Sequence, residues 1–163
     1  LYAGIFLDTK GFTFKTGVRT FEAAAYLRRM GVDPVNIRRL FKTDIRDSVR
    51  LSKVISSAKI YRDNIAVAVC EDTGKDLQVL VAKAADELLN ISGIEASFVI
   101  ARLGHKIIIS GRSLETVNVQ LILERLGGGG HITIAGAQLS NQDMDIALEQ
   151  LQKAIDDVLD DRE

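Results

Sequence analysis

From residue 59 onward the chain alternates between two hydrophobic periods, and this alternation leaves few architectures open. "NIAVAVCED" is a short apolar run rich in β-branched residues, bounded by Asn64 and by the Glu71-Asp72-Thr73-Gly74 turn. Such a run reads as a buried strand. "KDLQVLVAKAADELLN" follows, with Leu77, Leu80, Val81, Ala84 and Leu88 at helical spacing. "EASFVIARL" and "HKIIIS" are two strand-like runs joined by Leu103-Gly104, which predicts a hairpin. "SLETVNVQLILERL" is helical, with Ser113 as its N-cap and Glu115 in the first turn, where the helix dipole favours a carboxylate. A glycine run and a short extended piece come next. The last helix, in "NQDMDIALEQLQKAIDDVLDD", puts Met144, Leu148, Leu151, Ile155 and Leu159 on one face. Strands adjacent in sequence, with helices between them, predict an α/β unit built on a mixed sheet flanked by helices.

Residues 1–58 read differently, as mostly helical after a short apolar opening. In "GVRTFEAAAYLRRMG" Thr20 is the expected N-cap. Phe21, Ala24, Ala25 and Leu27 form the apolar stripe, and Gly31 stands at the C′ position. "DPVNIRRLF" sets the only proline, Pro34, directly after Asp33, an N-cap followed by N1 proline. "TDIRDSVRLSKVISSA" carries Ile45, Val49, Leu51 and Ile55 at helical spacing and is rich in charge, as a connecting helix would be. The expected organisation is a helical segment over 1–43, a connecting helix over 44–58 and the α/β unit over 59–163, with the main boundary near 56–62. The chain opens without an initiator methionine and inside an apolar segment, so it reads as a piece of a longer protein.

Composition excludes several classes. The chain has 163 residues, 47% hydrophobic and 26% charged, enough for a sizeable core. A net charge of −1 leaves anion binding to local patches. The single cysteine, Cys70, rules out an internal disulfide and fits a reducing compartment. Two histidines and one cysteine cannot build a structural zinc site. No apolar run approaches the roughly 18–20 residues that span a bilayer.

The glycines are the costliest feature. "RLGGGGHITIAGAQ" holds four in succession, Gly127, Gly128, Gly129 and Gly130, directly before His131. Each glycine in an ordered element costs roughly 0.5–1 kcal/mol relative to alanine. Bare backbone lets an anion approach successive N–H groups, and a histidine beside them can donate to phosphate or act as acid or base. Arg112, in "SGRS" with Ser110 and Ser113, could match phosphate oxygens bidentately. A turn, or a close helix–strand crossing, would need the same glycines. Neither G-x-x-x-x-G-K-[ST] nor G-x-G-x-x-G is present.

Asp8, in "GIFLDTKGF", follows an apolar run and should end a buried element, either as a turn residue or as a metal ligand. A two-metal hydrolytic centre needs several Asp, Glu and His ligands, and the sequence offers no His–His or His–Asp cluster to join it. His105 reads as a surface turn residue, and Arg28, Arg29, Arg38 and Arg39 as solvated helix faces. Cys70 reads as core, and Asp156, Asp157, Asp160, Asp161 and Glu163 as a solvated acidic face. No aromatic platform for a base stands out beyond Phe98 and Tyr61.

At these residues the sequence resembles a family. "GIFLDTKGFTFKTGVRTFEAA" is similar to the last motif of the DHH phosphoesterase domain and its following helix. "ISGRSLETVNVQLILERLGGGGHITIAGAQL" resembles the hallmark of the DHHA1 domain, which follows the DHH domain in these proteins. The four-glycine form before "AGAQL" is most like that of the membrane-anchored cyclic-di-AMP phosphodiesterases of Gram-positive bacteria.

The resemblance implies a DHHA1-type substrate-binding domain over 59–163 behind a DHH remnant over 1–43. It implies that Asp8 ligates one of two Mn²⁺ ions. Gly127, Gly128, Gly129, Gly130 and His131 would hold the substrate's distal phosphate and base, assisted by Arg112 and Ser113. It implies hydrolysis of cyclic-di-AMP to linear pApA by the intact protein, which would be anchored to the membrane with this part cytoplasmic, and a homodimer as a further possibility. The Asp-His-His motif would lie before Leu1, so the fragment alone is expected to be inactive. The alternatives are an oligoribonuclease or phosphoadenosine phosphatase of the same family, or a non-catalytic module binding nucleotides or short RNA.

Overall fold

The computed structural model describes residues 1–13 and 16–160. The chain divides into two compact units, at Leu1–Asp44 and Ile45–Glu163. Asp161 and Glu163 of the acidic tail lie outside the described residues.

The first unit contains α1 (Tyr2–Asp8), α2 (Val18–Arg29) and α3 (Pro34–Leu40). The apolar opening is itself a helix. Thr20 is not the N-cap of α2; Gly17 is, and Thr20 at N3 turns its hydroxyl back to accept from the Gly17 N–H at 3.3 Å. Gly31 follows the C-cap Met30 at φ +96°, as expected of a C′ glycine. Asp33 caps α3 by accepting from the Val35 N–H at 3.0 Å, with Pro34 at the first helical position. Aromatic rings hold the unit: Phe6 stacks on Phe41 at 5.7 Å, and Phe12 stacks on Phe21 at 5.7 Å. None of the three helices buries a residue, and large side chains such as Val18 and Met30 stay exposed. These faces carry apolar surface that a folded domain of ordinary size would cover.

The second unit begins with α4 (Ile45–Ser56). The expected connecting helix thus groups with the second compact unit. Val54 is its buried residue, while Ile45 and Val49 of the expected stripe are exposed. Arg50 fixes the helix to the loop after the second strand: its Nε and Nη2 donate to the two Asp72 carboxylate oxygens, each at 2.8 Å.

Six strands follow: β1 (Lys59–Tyr61), β2 (Ile65–Cys70), β3 (Ala96–Leu103), β4 (Lys106–Ser113), β5 (Gly129–His131) and β6 (Ile134–Ser140). They form one mixed sheet in the order β1-β2-β3-β4-β6-β5, with β2 and β3 parallel and every other pair antiparallel. The parallel crossover is made by α5 (Leu77–Leu88), the arrangement a βαβ connection requires. The β3–β4 hairpin forms as expected, its turn being Gly104 and His105, with His105 exposed. The remaining helices are α6 (Val119–Glu124) and α7 (Met144–Asp160).

Ser113 does not cap a helix. Pairing with Ala96 carries β4 through Ser113, and Asn118 caps α6 instead, accepting from the Leu121 N–H at 3.1 Å. Glu115 sits at φ +75° in the intervening bend, outside any helical turn.

The alternation of side chains splits the core across the sheet. On one face Phe98, Ile100, Ile107 and Ile109 pack with residues of α6 and α7, among them Ile122, Leu123, Leu151 and Ile155. On the other, Ala68, Val99, Ala101 and Ile108 pack with Leu80, Val81, Ala84 and Leu88 of α5 and with Val54. Cys70 lies in this second cluster, buried as expected. The acidic face of α7 is ion-paired as well as solvated. Asp156 and Asp160 take Arg62 at 2.8 and 2.7 Å, and Asp157 takes Arg125 at 3.4 Å.

Candidate nucleotide-binding site

The second face of the sheet is only partly covered. On β6 the residues alternate strictly between exposed and buried: Ala135, Ala137 and Leu139 face α6 and α7, while Ile134, Gly136, Gln138 and Ser140 face out. Directly opposed residues of antiparallel strands share a face. The register therefore sets Ser110 of β4, Gly136 of β6 and Gly129 of β5 in one cross-strand row. The neighbouring row holds Arg112, Ile134 and His131. Sheet pairing thus brings "SGRS", "AGAQ" and "GGGGH" together on one open surface. At about 4.8 Å per strand, the outer members of each row stand roughly 10 Å apart.

The four glycines have different reasons to be glycine. Gly127, at φ +74°, closes α6 through a pair of bonds that mark a Schellman end: its N–H donates to the Glu124 carbonyl at 3.0 Å, and that of Gly128 donates to the Leu123 carbonyl at 2.8 Å. Gly128 lies against β6, where a Cβ would meet the Gly136 carbonyl and would come within 2.7 Å of Ala137 Cβ. Gly130 has φ +151°, and a Cβ there would meet the Ile134 carbonyl and lie 2.6 Å from Ala135 Cα. Gly129 has none of these constraints. It is exposed, and a Cβ would find nothing within 4 Å. The left-handed end of α6 accounts for Gly127, and close approach to β6 accounts for Gly128 and Gly130; neither applies at Gly129.

The polar residues divide in the same way. Ser113 is buried, and its hydroxyl donates to the Ile132 carbonyl at 3.3 Å. The Thr133 and Ile132 carbonyls also accept from the N–H groups of Ser113 and Val119, each at 3.0 Å. Ser113 therefore holds the turn that carries His131, and its hydroxyl is committed there. Arg112 is held before any ligand arrives: Nε donates to Asp86 Oδ1 at 3.2 Å, and Nη1 donates to Ser110 Oγ and the Gly111 carbonyl, both at 2.9 Å. Gly111 makes room for the core, since a Cβ would come 3.0 Å from the Phe98 ring. His131 is exposed, and its imidazole has no hydrogen-bond partner among the described residues.

Beside these rows lies a cleft of about 540 Å³. Gln78 and Val81 of α5 form one wall, Gly127 and Gly128 another, and Ile108, Ser110, Gly136 and Gln138 line the sheet side. Gln78 and Gln138 carry no signal that their spacing in sequence reveals; only the fold brings them to one cleft. The two aromatic residues considered for base stacking are elsewhere. Phe98 is fully buried under α6 and α7, and Tyr61 donates its hydroxyl to Asp156 at 2.8 Å. Burial and that bond raise the Tyr61 pKa above the ordinary phenol value.

Asp8 belongs to the first unit. It is the last residue of α1 and is exposed, so it does not end a buried element. A carboxylate at a helix C-terminus opposes the helix dipole, which leaves it without a local folding role. The backbone behind it is tightly set: Lys10, Gly11 and Phe12 all have positive φ, and the buried Thr9 hydroxyl accepts from the Phe12 N–H at 3.0 Å. Among the described residues no group of three or more His, Cys, Asp or Glu could hold a metal ion. Asp8 is one carboxylate, and the residues present do not by themselves fit a two-manganese centre. No described helix is long and apolar enough to cross a membrane.

Residues 62–161 match the DHHA1 domain family model. The chain is 49% identical over 158 residues to the cyclic-di-AMP phosphodiesterase GdpP of Geobacillus thermodenitrificans, covering 96% of this chain and 24% of that protein. It is 44% identical to the cyclic-di-AMP phosphodiesterase PdeA of Listeria monocytogenes, with the same coverage of each. The chain therefore spans about a quarter of the length of the curated relatives it matches. The fold is shared with the crystal structure of an exopolyphosphatase-related protein from Bacteroides fragilis, at a TM-score of 0.75 and 22% identity over 94% of this chain and 47% of that one. A mixed sheet whose register joins the serine–arginine strand to the glycine run, matched over most of its length by one family model, places the chain in the DHHA1 domain family.

Proposed function

We propose that this chain is the substrate-holding part of a phosphodiesterase that opens cyclic-di-AMP to linear pApA. The observation that carries this reading is Gly129: in a run whose other members are required by a left-handed helix end (Gly127) or by close packing on β6 (Gly128 and Gly130), it alone is bare without a folding reason, and it shares a row with Ser110 and Gly136. Its backbone lets a phosphate approach closely. Arg112, fixed by Asp86, presents positive charge in the adjacent row, and the imidazole of His131 is available to donate a hydrogen bond to the same phosphate. Holding the nucleotide at several points is what converts an encounter into a placed scissile bond.

The cutting side is assigned to residues outside this chain. Asp8 supplies one carboxylate to a manganese centre completed by a DHH domain of the same protein. In this reading that protein is membrane-anchored with this part in the cytoplasm, and the chain alone binds nucleotide without hydrolysing it. The lack of a metal-ligand cluster among the described residues also favours, for the isolated chain, a nucleotide- or RNA-binding module.

Titration of the chain with cyclic-di-AMP, followed through backbone amide resonances, tests the proposal. Shifts are expected at 127–131 and at Arg112. Their absence with cyclic-di-AMP, pApA and short RNA alike would remove the anion-loop reading. Rapid hydrolysis of cyclic-di-AMP by the pure chain with Mn²⁺ would overturn the assignment of catalysis to residues outside it.

A further inference from the structure

The cleft beside the glycine run differs in character from the rows that flank it. Among the described residues no charged side chain lines it. Its surface is the backbone of Gly136, the apolar side chains of Val81 and Ile108, and the polar groups of Ser110, Gln78 and Gln138. Ser110 already accepts from Arg112. Gln78 and Gln138 are different: both are exposed, and neither amide has a hydrogen-bond partner among the described residues. The cleft therefore presents two free primary amides, from α5 on one side and β6 on the other, above an apolar floor.

A phosphate would find nothing there to neutralise it, and belongs with Arg112 and the bare glycine. A flat neutral heterocycle suits this lining, because one face can lie on the small apolar floor at Val81 and Ile108 while its edge meets the amides. Each amide offers a donor and an acceptor side by side. That pair complements adenine, whose amino group donates next to an accepting ring nitrogen. On the edge that carries N7, adenine has this donor–acceptor pair, whereas guanine offers two adjacent acceptors, O6 and N7, which call for arginine or lysine.

We infer that Gln78 and Gln138 read the base edge and make this cleft select adenine over guanine. The inference rests on the proposed nucleotide site but concerns residues outside the glycine loop and "SGRS".

The test is calorimetric titration of the chain with the 5′-phosphorylated dinucleotides pApA and pGpG, unmodified and as Gln78→Leu and Gln138→Leu. Both positions are exposed, so the variants should keep the fold, and far-ultraviolet circular dichroism checks this. The unmodified chain should prefer pApA by roughly tenfold or more. Each substitution should shrink the preference to about threefold or less by weakening pApA while leaving pGpG unchanged. A preference that survives in both variants, or an unmodified chain that binds both dinucleotides equally, would overturn the assignment of base reading to these amides. Binding of neither dinucleotide by the unmodified chain would overturn the nucleotide site itself, a separable result.

Discussion

Ser113 and Ile132 are joined by a hydroxyl-to-carbonyl hydrogen bond of 3.3 Å that ties the end of β4 to the turn between β5 and β6. The bond explains a buried hydroxyl and at the same time fixes the strand that carries His131. Ser113→Ala should therefore cost about 1 kcal/mol in denaturant unfolding, the usual worth of one intramolecular hydrogen bond. It should also weaken cyclic-di-AMP binding severalfold through a looser hairpin. Wild-type affinity in Ser113→Ala would show that the turn is held by its backbone bonds alone.

The glycine run gives a graded series. Gly127→Ala forces a left-handed alanine and should destabilise by about 1 kcal/mol. Gly128→Ala and Gly130→Ala drive a methyl into the β6 backbone and should cost about 1–3 kcal/mol or more. Gly129→Ala meets nothing and should leave the melting temperature within a degree or so of the unmodified chain. If Gly129 is the point of phosphate approach, only its variant separates binding from stability, losing affinity with the fold intact. Calorimetry and thermal melts on the four variants check both halves.

Much of the α/β unit was legible because local signals agreed. The buried run 65–70 and the stripe Leu77-Leu80-Val81-Ala84-Leu88 each carry a period that tertiary packing then uses. Errors fell where tertiary pairing overrode a local preference. Ser113 resembles an N-cap, but a ladder partner in Ala96 extended the strand through it. Asp8 follows apolar residues that should be buried, yet α1 buries none. The site was half legible. Gly-Gly-Gly-Gly-His and Ser-Gly-Arg-Ser are visible as strings, but that they share two rows depends on the β4–β6–β5 register. That the glycines are not equivalent depends on the distance between Gly128 or Gly130 and β6. Gln78 and Gln138 had no sequence signal, since unpaired amides are ordinary on helices and strands until a cleft brings them together.

Cys70 is buried in the cluster under α5, and that burial raises its thiol pKa above the ordinary value. The thiolate is the reactive form, so both access and ionisation are suppressed in the native protein. Labelling with a disulfide reagent at pH 8 should be slower than for an unfolded control by at least about a hundredfold, and should track the unfolding transition when denaturant is added. Fast labelling without denaturant would show that the α4–β2 edge opens locally.

Arg50 and Asp72 give a pH dependence whose sign is fixed. The two charge-assisted bonds from Arg50, and a further one of 2.7 Å from the Gly74 N–H, hold the Asp72 carboxyl at about 2, below the value of about 3.9 for an unfolded aspartate. A carboxylate whose pKa is lowered by folding contributes stability above its unfolded pKa and loses it as pH falls through the folded one. The contribution should be intact above about pH 4 and should disappear towards pH 2. Because the pair joins α4 to the β2–α5 loop, acid should loosen that helix ahead of the sheet. In amide hydrogen exchange at pH 3 and pH 6, protection of 50–56 should fall relative to that of β3 and β4. Asp72→Asn should show the weaker α4 protection at both pH values and no further change between them. An acid response of α4 that is the same in Asp72→Asn would assign the sensitivity to another group.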